Sequence, residues 1–295
     1  MPIFSVSLIA AIIALALAFL LQHMYNCLPE SWLQDYDFDP TAPNVRMARR
    51  MKLFPHTLCI MLCISVAVFL GMQMNPDYIT KRYVFHILLM ILPLYPLALI
   101  VISDQLNKII PDQLVVVTAL LSVFGFLADY LEGSLWLAST PWYSLFLNRL
   151  LGGVVGAMVL LAIGFIGTNV SGQESMGFGD IKLIVACGLL CGLRGLPFVF
   201  FISFLVGGIF AFPLLIRKRR LLAAEHKLIQ ESENPVRTRK EIEKRKTEIH
   251  YADDPNVIAF GPFLGLGTAI FLVFESALHA YFLSDILPGL QVIFS

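Results

Sequence analysis

IKLIVACGLLCGLRGLPFVFFISFLVGGIFAFPLLI, residues 181–216, is a run of 36 residues with only two charged side chains, Lys182 and Arg194. About 20 apolar residues suffice to cross the hydrocarbon core of a bilayer, so the run is too long for one span. Arg194 and Gly195 interrupt it, and it reads as two spans, 181–193 and 196–216, joined by a tight hairpin. Six other apolar runs, at 4–21, 53–72, 84–103, 113–131, 150–167 and 258–283, raise the count to eight. The first has no basic flank and exceeds the apolar stretch of a cleaved signal, so it is expected to stay as a span.

Composition agrees. Of the 295 residues 58% are hydrophobic and 14% charged, at a mean hydropathy of +0.77. A soluble domain carries about 25% charged residues, which excludes a conventional soluble enzyme. The expected fold class is therefore an all-α polytopic membrane protein, a bundle of about eight transmembrane helices. The 21 basic residues balance the 21 acidic ones, so no basic excess points to nucleic acid. Zero net charge nevertheless conceals a partition. One set of alternate loops holds Arg46, Arg49, Arg50, Lys52, Lys108, Lys182 and the eleven basic residues of 217–246, in all 17; the other holds Lys81, Arg82, Arg149 and Arg194. The positive-inside rule makes the first set cytoplasmic and puts both termini outside.

Two segments lie outside the spans. Residues 217–257 carry eleven basic and eight acidic side chains and read as a charged cytoplasmic helical excursion. Asn234-Pro235 breaks it, and Thr238 with Glu241 forms a capping-box pattern that opens a second helix reaching about residue 250. The loop 23–52 holds Asp35, Asp37 and Asp39 at a spacing able to meet a divalent cation. It has neither the glycine turn nor the distal Glu of an EF-hand, so a polar connector is the expectation. Cys59 with Cys63, and Cys187 with Cys191, read as small buried hydrophobes; no CxxC pair exists, and no metal site is expected.

Ionisable groups within or against a bilayer are costly, which makes each a functional candidate. Asp104 follows the third span in Ser103-Asp104-Gln105-Leu106-Asn107-Lys108-Ile109-Ile110-Pro111-Asp112, and Asp180 precedes the sixth in Gly177-Phe178-Gly179-Asp180-Ile181-Lys182-Leu183. The charge count puts both at the cytoplasmic face, so carboxylates from two spans can meet. Close carboxylates do not both ionise comfortably; one keeps a proton while the other draws one from water, which is aspartic-protease chemistry needing no metal or cofactor. Asp180 at a helix N-terminus is favoured as the ionised base, with Asp104 the protonated acid. Gly177 and Gly179 let a substrate or a facing helix come close.

At these segments the chain resembles the type IV prepilin leader peptidases, membrane aspartic proteases of the GxGD class. Gly177, Gly179, Asp180, Lys182 and Leu183 match the family's GxGDxKL segment. Asp104 with Pro111 and Asp112 matches its first catalytic Asp and downstream Pro-Asp, and Phe260-Gly261-Pro262-Phe263-Leu264 is similar to its FGPFL motif. The resemblance implies that Asp104 and Asp180 cleave the leader peptide of a type IV prepilin or pseudopilin precursor at the cytoplasmic face of the bacterial inner membrane. Gly177, Phe178, Gly179, Lys182, Pro111 and Asp112 would then form the active-site loops and possible substrate contacts. Lys182 either steers substrate or the dyad or snorkels at the helix start, while Gly261, Pro262, Gly265 and Gly267 kink the last span or permit close helix packing. It also implies a division into an N-terminal two-span region, 1–82, and a peptidase membrane domain, 83–295, that includes the insertion 217–257. Bifunctional members carry two CxxC pairs in the N-terminal loop and N-methylate the new N-terminus; here 23–52 has only Cys27, so S-adenosylmethionine would enter only with such an activity. The competing readings are a proton- or cation-coupled transporter, using Asp104, Asp180, Asp129 and Glu275 as a relay, and a different intramembrane GxGD protease. His56, His86 and His279 lack metal-ligand spacing and are expected in the core.

Overall fold

The computed structural model describes residues 3–34, 46–137, 141–171, 176–232, 234–248 and 259–281. Among them every regular element is helical. Seven helices are long and apolar enough to cross a membrane: α1 (Ile3–Asn26), α2 (Leu53–Met74), α3 (Val84–Asn107), α4 (Asp112–Gly133), α5 (Trp142–Ser171), α6 (Phe178–Glu231) and α8 (Gly261–Tyr281); the charged α7 (Pro235–Glu248) precedes the last. Phe4, Ile12, Leu62, Phe165, Phe201 and Phe212 are all more than half exposed on these helices, as lipid-facing side chains should be in a multi-pass membrane protein.

The long apolar run does fold back on itself, but two residues earlier than the charge at Arg194 suggests. Gly192 leaves helical geometry at φ 70°, ψ 172°, a region open to glycine and strained for other residues. Neighbours on either side show the reversal. Going up the first arm, Ile184 and then Gly188 lie against Gly156 and then Gly152 of α5, and Gly192 lies against Asn148. Going on, Gly195 meets Phe271 of α8, Val199 and Ser203 meet Gly267, and Gly207 meets Phe263. The two arms thus run antiparallel, the first along α5 and the second along α8. Gly152 and Gly188 touch backbone to backbone, where a Cβ on either would collide with the other. The first arm has roughly 14 residues, about 21 Å of helix, short of a ~30 Å hydrocarbon core.

The core lies between α6, α8 and the second half of α3. Leu183, Ile184, Leu190, Leu264, Phe271 and Ile100 are fully or almost fully buried there. Pro93 interrupts α3, leaving the segment Leu94–Asn107 to carry Leu97, Ile100, Asp104 and Asn107 on a buried face. The seam of α1 is Ser7, Ala11, Ala14, Ala18, Leu21 and Tyr25, an alternation of three and four residues, with small side chains that allow close packing on α2.

Three local expectations need correction. The second helix of the excursion starts at Pro235, because Asn234 is its N-cap: Asn234 Oδ1 accepts from the Arg237 amide at 3.1 Å, with proline at the first helical position. Thr238 is already inside and bonds back to the Asn234 carbonyl. Helix α5 starts at Trp142 rather than 150, which puts Arg149 inside a helix and not in a loop. Of the cysteines, Cys187 and Cys191 are buried, whereas Cys59 and Cys63 stand on the outer face of α2. Asp35, Asp37 and Asp39 lie outside the described residues.

Candidate active site

Asp104 belongs to the last turn of α3, not to the loop after it. The helix runs on to Asn107 and stops because Lys108 takes a left-handed conformation, φ 58°, with its amide donating to the Asp104 carbonyl at 3.0 Å. Ser103 Oγ donates to the Ile109 carbonyl at 2.8 Å and so ties the turn that follows. Pro111, extended and buried, then leads into Asp112, the first residue of α4.

Asp180 is placed by equally local rules. Gly177 is the N-cap of α6, with extended backbone and no side chain of its own to cap the helix. Phe178 and Gly179 follow, and Asp180 is the third helical residue, its amide donating to the Gly177 carbonyl at 3.2 Å. A carboxylate in this first turn meets the positive end of the helix dipole. Phe178 beside it is 66% exposed.

Tertiary packing brings the two together around Ile110. Gly179 lies against the Ile110 side chain, and Gly261, at the start of α8, lies against both Ile110 and the Asp104 carboxylate. A Cβ on Gly261 would collide with that carboxylate. The three sequence motifs therefore converge on one spot, and Asp104 is near enough for its charge to act on Asp180. Both acids are buried, at 5% and 9% exposure, and neither has an ion-pair partner among the described residues. Asp104 Oδ2 and Asp180 Oδ1 are each buried without a hydrogen-bond partner. Buried polar atoms are almost always satisfied, so two open carboxylate oxygens in one place are a departure that calls for a reason. Such a pair can share a proton and activate a water.

Lys182 reaches across to Asp112 at the start of α4. Its Nζ lies 2.8 Å from both oxygens of Asp112 and 4.9 Å from the centre of the Phe178 ring. The pair clips the start of α4 to the first turn of α6, and so ties the segment after Asp104 to the one that holds Asp180. Leu183, one residue on, is wholly buried in the core.

The remaining candidates lie elsewhere. Asp129 pairs with Arg149 at 2.7 Å, and Glu275 accepts from Trp136 Nε1 at 3.1 Å, both near the turn of α6 at Gly192, away from Asp104 and Asp180. His86 bonds Glu132 at 2.8 Å, His279 packs edge-on to Trp136, and the buried Nδ1 of His56 has no partner. Sequence reasoning missed two contributors. The contact of Gly261 with Asp104 was within reach, since the Phe260-Gly261-Pro262 motif was visible. The other is Asn107, one turn after Asp104, whose side-chain amide bonds both the N–H and the carbonyl of the distant Arg49, a contact with no local signal.

Residues 91–212 match the family model described as the type IV leader peptidase family. The chain is 32% identical over 117 residues to the prepilin leader peptidase/N-methyltransferase of Xanthomonas campestris pv. campestris, 40% of this chain and 37% of that protein. To the protein of the same name from Aeromonas salmonicida it is 25% identical over 232 residues, 79% of this chain and 62% of that one. The matches thus span less than two thirds of the length of these relatives. No solved structure matches the chain. The matched residues 91–212 contain Asp104, Ile110, Asp112, Asp180 and Lys182, so the likeness to the type IV leader peptidase family covers both aspartates.

Proposed function

We propose that the protein is an aspartic endopeptidase of the bacterial inner membrane, which removes the leader peptide from type IV prepilin or pseudopilin precursors at the cytoplasmic face. The observation that carries this proposal is the convergence of Asp104 and Asp180, buried, without an ion pair among the described residues, each with one unsatisfied oxygen. In the proposed reaction the ionised carboxylate, assigned to Asp180 at its helix N-terminus, takes a proton from water as the water attacks the scissile carbonyl. The protonated Asp104 gives its proton to the carbonyl oxygen. Collapse of the tetrahedral intermediate returns a proton through the pair to the leaving amine, so both carboxyls recover their starting states and no metal or cofactor is consumed. Gly179 and Gly261, lacking Cβ atoms, let Ile110 and the Asp104 carboxylate pack close beside Asp180, and the exposed Phe178 provides an apolar contact at the lip.

The positive-inside count supports the same orientation: Arg46, Arg49, Arg50, Lys108 and Lys182 lie on the side of the bundle with the two aspartates. A precursor would then lay its apolar helix among the spans while its leader stays in the cytoplasm. The test is co-expression with a candidate prepilin, following precursor size for wild type, Asp104→Asn and Asp180→Asn. Processing by wild type alone is the expected result, and processing that survives either substitution would sink the dyad. The relatives' printed names include N-methyltransferase activity. Mass spectrometry of the mature N-terminus, with and without added S-adenosylmethionine, asks that question separately.

A further inference from the structure

One turn after Asp104, on the same helix, Asn107 is completely buried and uses both ends of its amide. Its Oδ1 accepts from the Arg49 amide at 2.8 Å, and its Nδ2 donates to the Arg49 carbonyl at 3.2 Å and to the Tyr25 hydroxyl at 3.0 Å. The side chain thus brackets one residue's backbone as a neighbouring β-strand would. Arg46 adds a second tie, its guanidinium donating to the Leu106 carbonyl at 3.3 Å, one of the α3 carbonyls that the end of the helix leaves without an intrahelical partner.

The bracketed segment is itself held from the other side. Asn26, at the end of α1, performs the same two-ended bracket on Met51, accepting from its amide at 2.9 Å and donating to its carbonyl at 3.1 Å. Glu30 accepts from the Ala48 amide and pairs with Arg50 at 2.6 Å. Residues 46–51 are therefore clamped between α1 and the terminal turn of α3. That turn ends at a left-handed residue and continues into an irregular link to α4; locally it is held by the Lys108 amide on the Asp104 carbonyl and by Ser103 on the Ile109 carbonyl, and the clamp adds support from outside the helix.

We propose that Asn107 is a positioning residue for proteolysis. Through Arg49 and Tyr25 it makes the N-terminal region, which lies outside the family-matched segment, part of the scaffold that aims the Asp104 carboxylate at Asp180. Asn107 itself is fully buried and so acts through its neighbours rather than on substrate. This inference rests on the peptidase reading given above.

The experiment measures kcat and KM for purified enzyme in lipid nanodiscs acting on a prepilin, for wild type, Asn107→Ala and Asn107→Asp. Misplacement of a catalytic group by about 1 Å costs on the order of 100-fold, so Asn107→Ala should lower kcat by roughly 10-fold to 100-fold with KM near wild type. The Asp variant keeps the shape. Ionised, it can accept from the Arg49 amide but cannot donate to the carbonyl; protonated, it does both. Its activity, divided by that of wild type at each pH, should therefore rise as pH falls, a signature that simple loss of folded protein does not produce. A kcat for Asn107→Ala within about 2-fold of wild type, or a flat ratio for Asn107→Asp, overturns the proposal while an active wild type leaves the peptidase reading standing. An inactive wild type overturns both.

Discussion

The bundle buries acids at two ends and treats them in opposite ways. Near the turn at Gly192, Asp129 is matched by Arg149, whose guanidinium also donates to the Leu189 and Leu190 carbonyls that the broken helix leaves without intrahelical partners. Glu132 collects His86 Nδ1 and two backbone amides, and Glu275 collects Trp136. At the other end Asp104 and Asp180 are as deeply buried and form no ion pair among the described residues; they face backbone at Gly261 and Gly177, with Lys108 acting on Asp104 only through its field. Desolvating a charge costs several kcal/mol unless it is paired, so the first arrangement satisfies the fold and the second works against it. Acids held at a cost to the fold are where chemistry is to be sought.

The sharpest way to break this contrast is to neutralise acids at each end. Asp104→Asn and Asp180→Asn should each reduce processing by at least about 10²-fold to 10⁴-fold, the range of a lost general acid or base. The yield of folded protein and its melting temperature in detergent should stay at or above wild type, because a costly buried carboxyl has been removed. If either variant instead unfolds, the open acids at this end are structural after all. Gly261→Ala tests the same end without touching an acid. Its methyl would meet the Asp104 carboxylate, and displacement by about 1 Å predicts a loss near 100-fold with an unchanged thermal melt.

At the paired end the signs reverse. Asp129→Asn leaves Arg149 buried without its counter-ion and should destabilise by about 3–5 kcal/mol, while molecules that remain folded keep their specific activity. Replacing both partners with Asp129→Leu and Arg149→Met should recover most of that loss. The residue left over reflects the Leu189 and Leu190 carbonyls, worth about 1–3 kcal/mol if left unsatisfied. Denaturation of the single and double variants separates these contributions, and full equality of the two would contradict the assignment.

Much of this contrast can be read in the sequence, but only where the controlling interactions are local. Span positions follow from apolar runs, and Asp104 and Asp180 stand out because a charge at the edge of such a run is conspicuous. The turn at 192 is hidden, because hydropathy registers the charge of Arg194 while the chain reverses through a positive φ at Gly192 that leaves no compositional trace. Arg194 remains helical and directs its guanidinium to the Trp136 carbonyl. Arg149 looks like a loop residue for the same reason, since its partner Asp129 is 20 positions away. Asn234-Pro235 looks only like a breaker, although a capping Asn before a first-turn Pro is also a start signal. The bracket of Asn107 on Arg49 spans 58 residues and belongs wholly to tertiary structure.

The contrast has an intermediate case in Glu30, which is half-buried and lies outside the spans. Burial pushes its carboxyl up, yet the Ala48 amide, Gln34 and Arg50 together outweigh this and hold it below the usual glutamate value. A carboxyl whose folded pKa is depressed gives stability that is fully present above its unfolded pKa, near 4.5, and disappears as pH falls through the lower folded value. Protonation should therefore loosen the 46–51 segment at acid pH without disturbing the helices. Limited proteolysis after Arg46, Arg49 or Arg50, carried out after brief acid exposure and tracked by peptide mass, reads this directly. Cleavage should increase below about pH 4.5 in wild type and be already raised, with a shallower pH response, in Glu30→Gln. Because Asn107 grips the same segment from the other side, release by Glu30 alone should lower peptidase activity less than loss of Asn107 does. The reverse order would move the decisive clamp from α3 to α1.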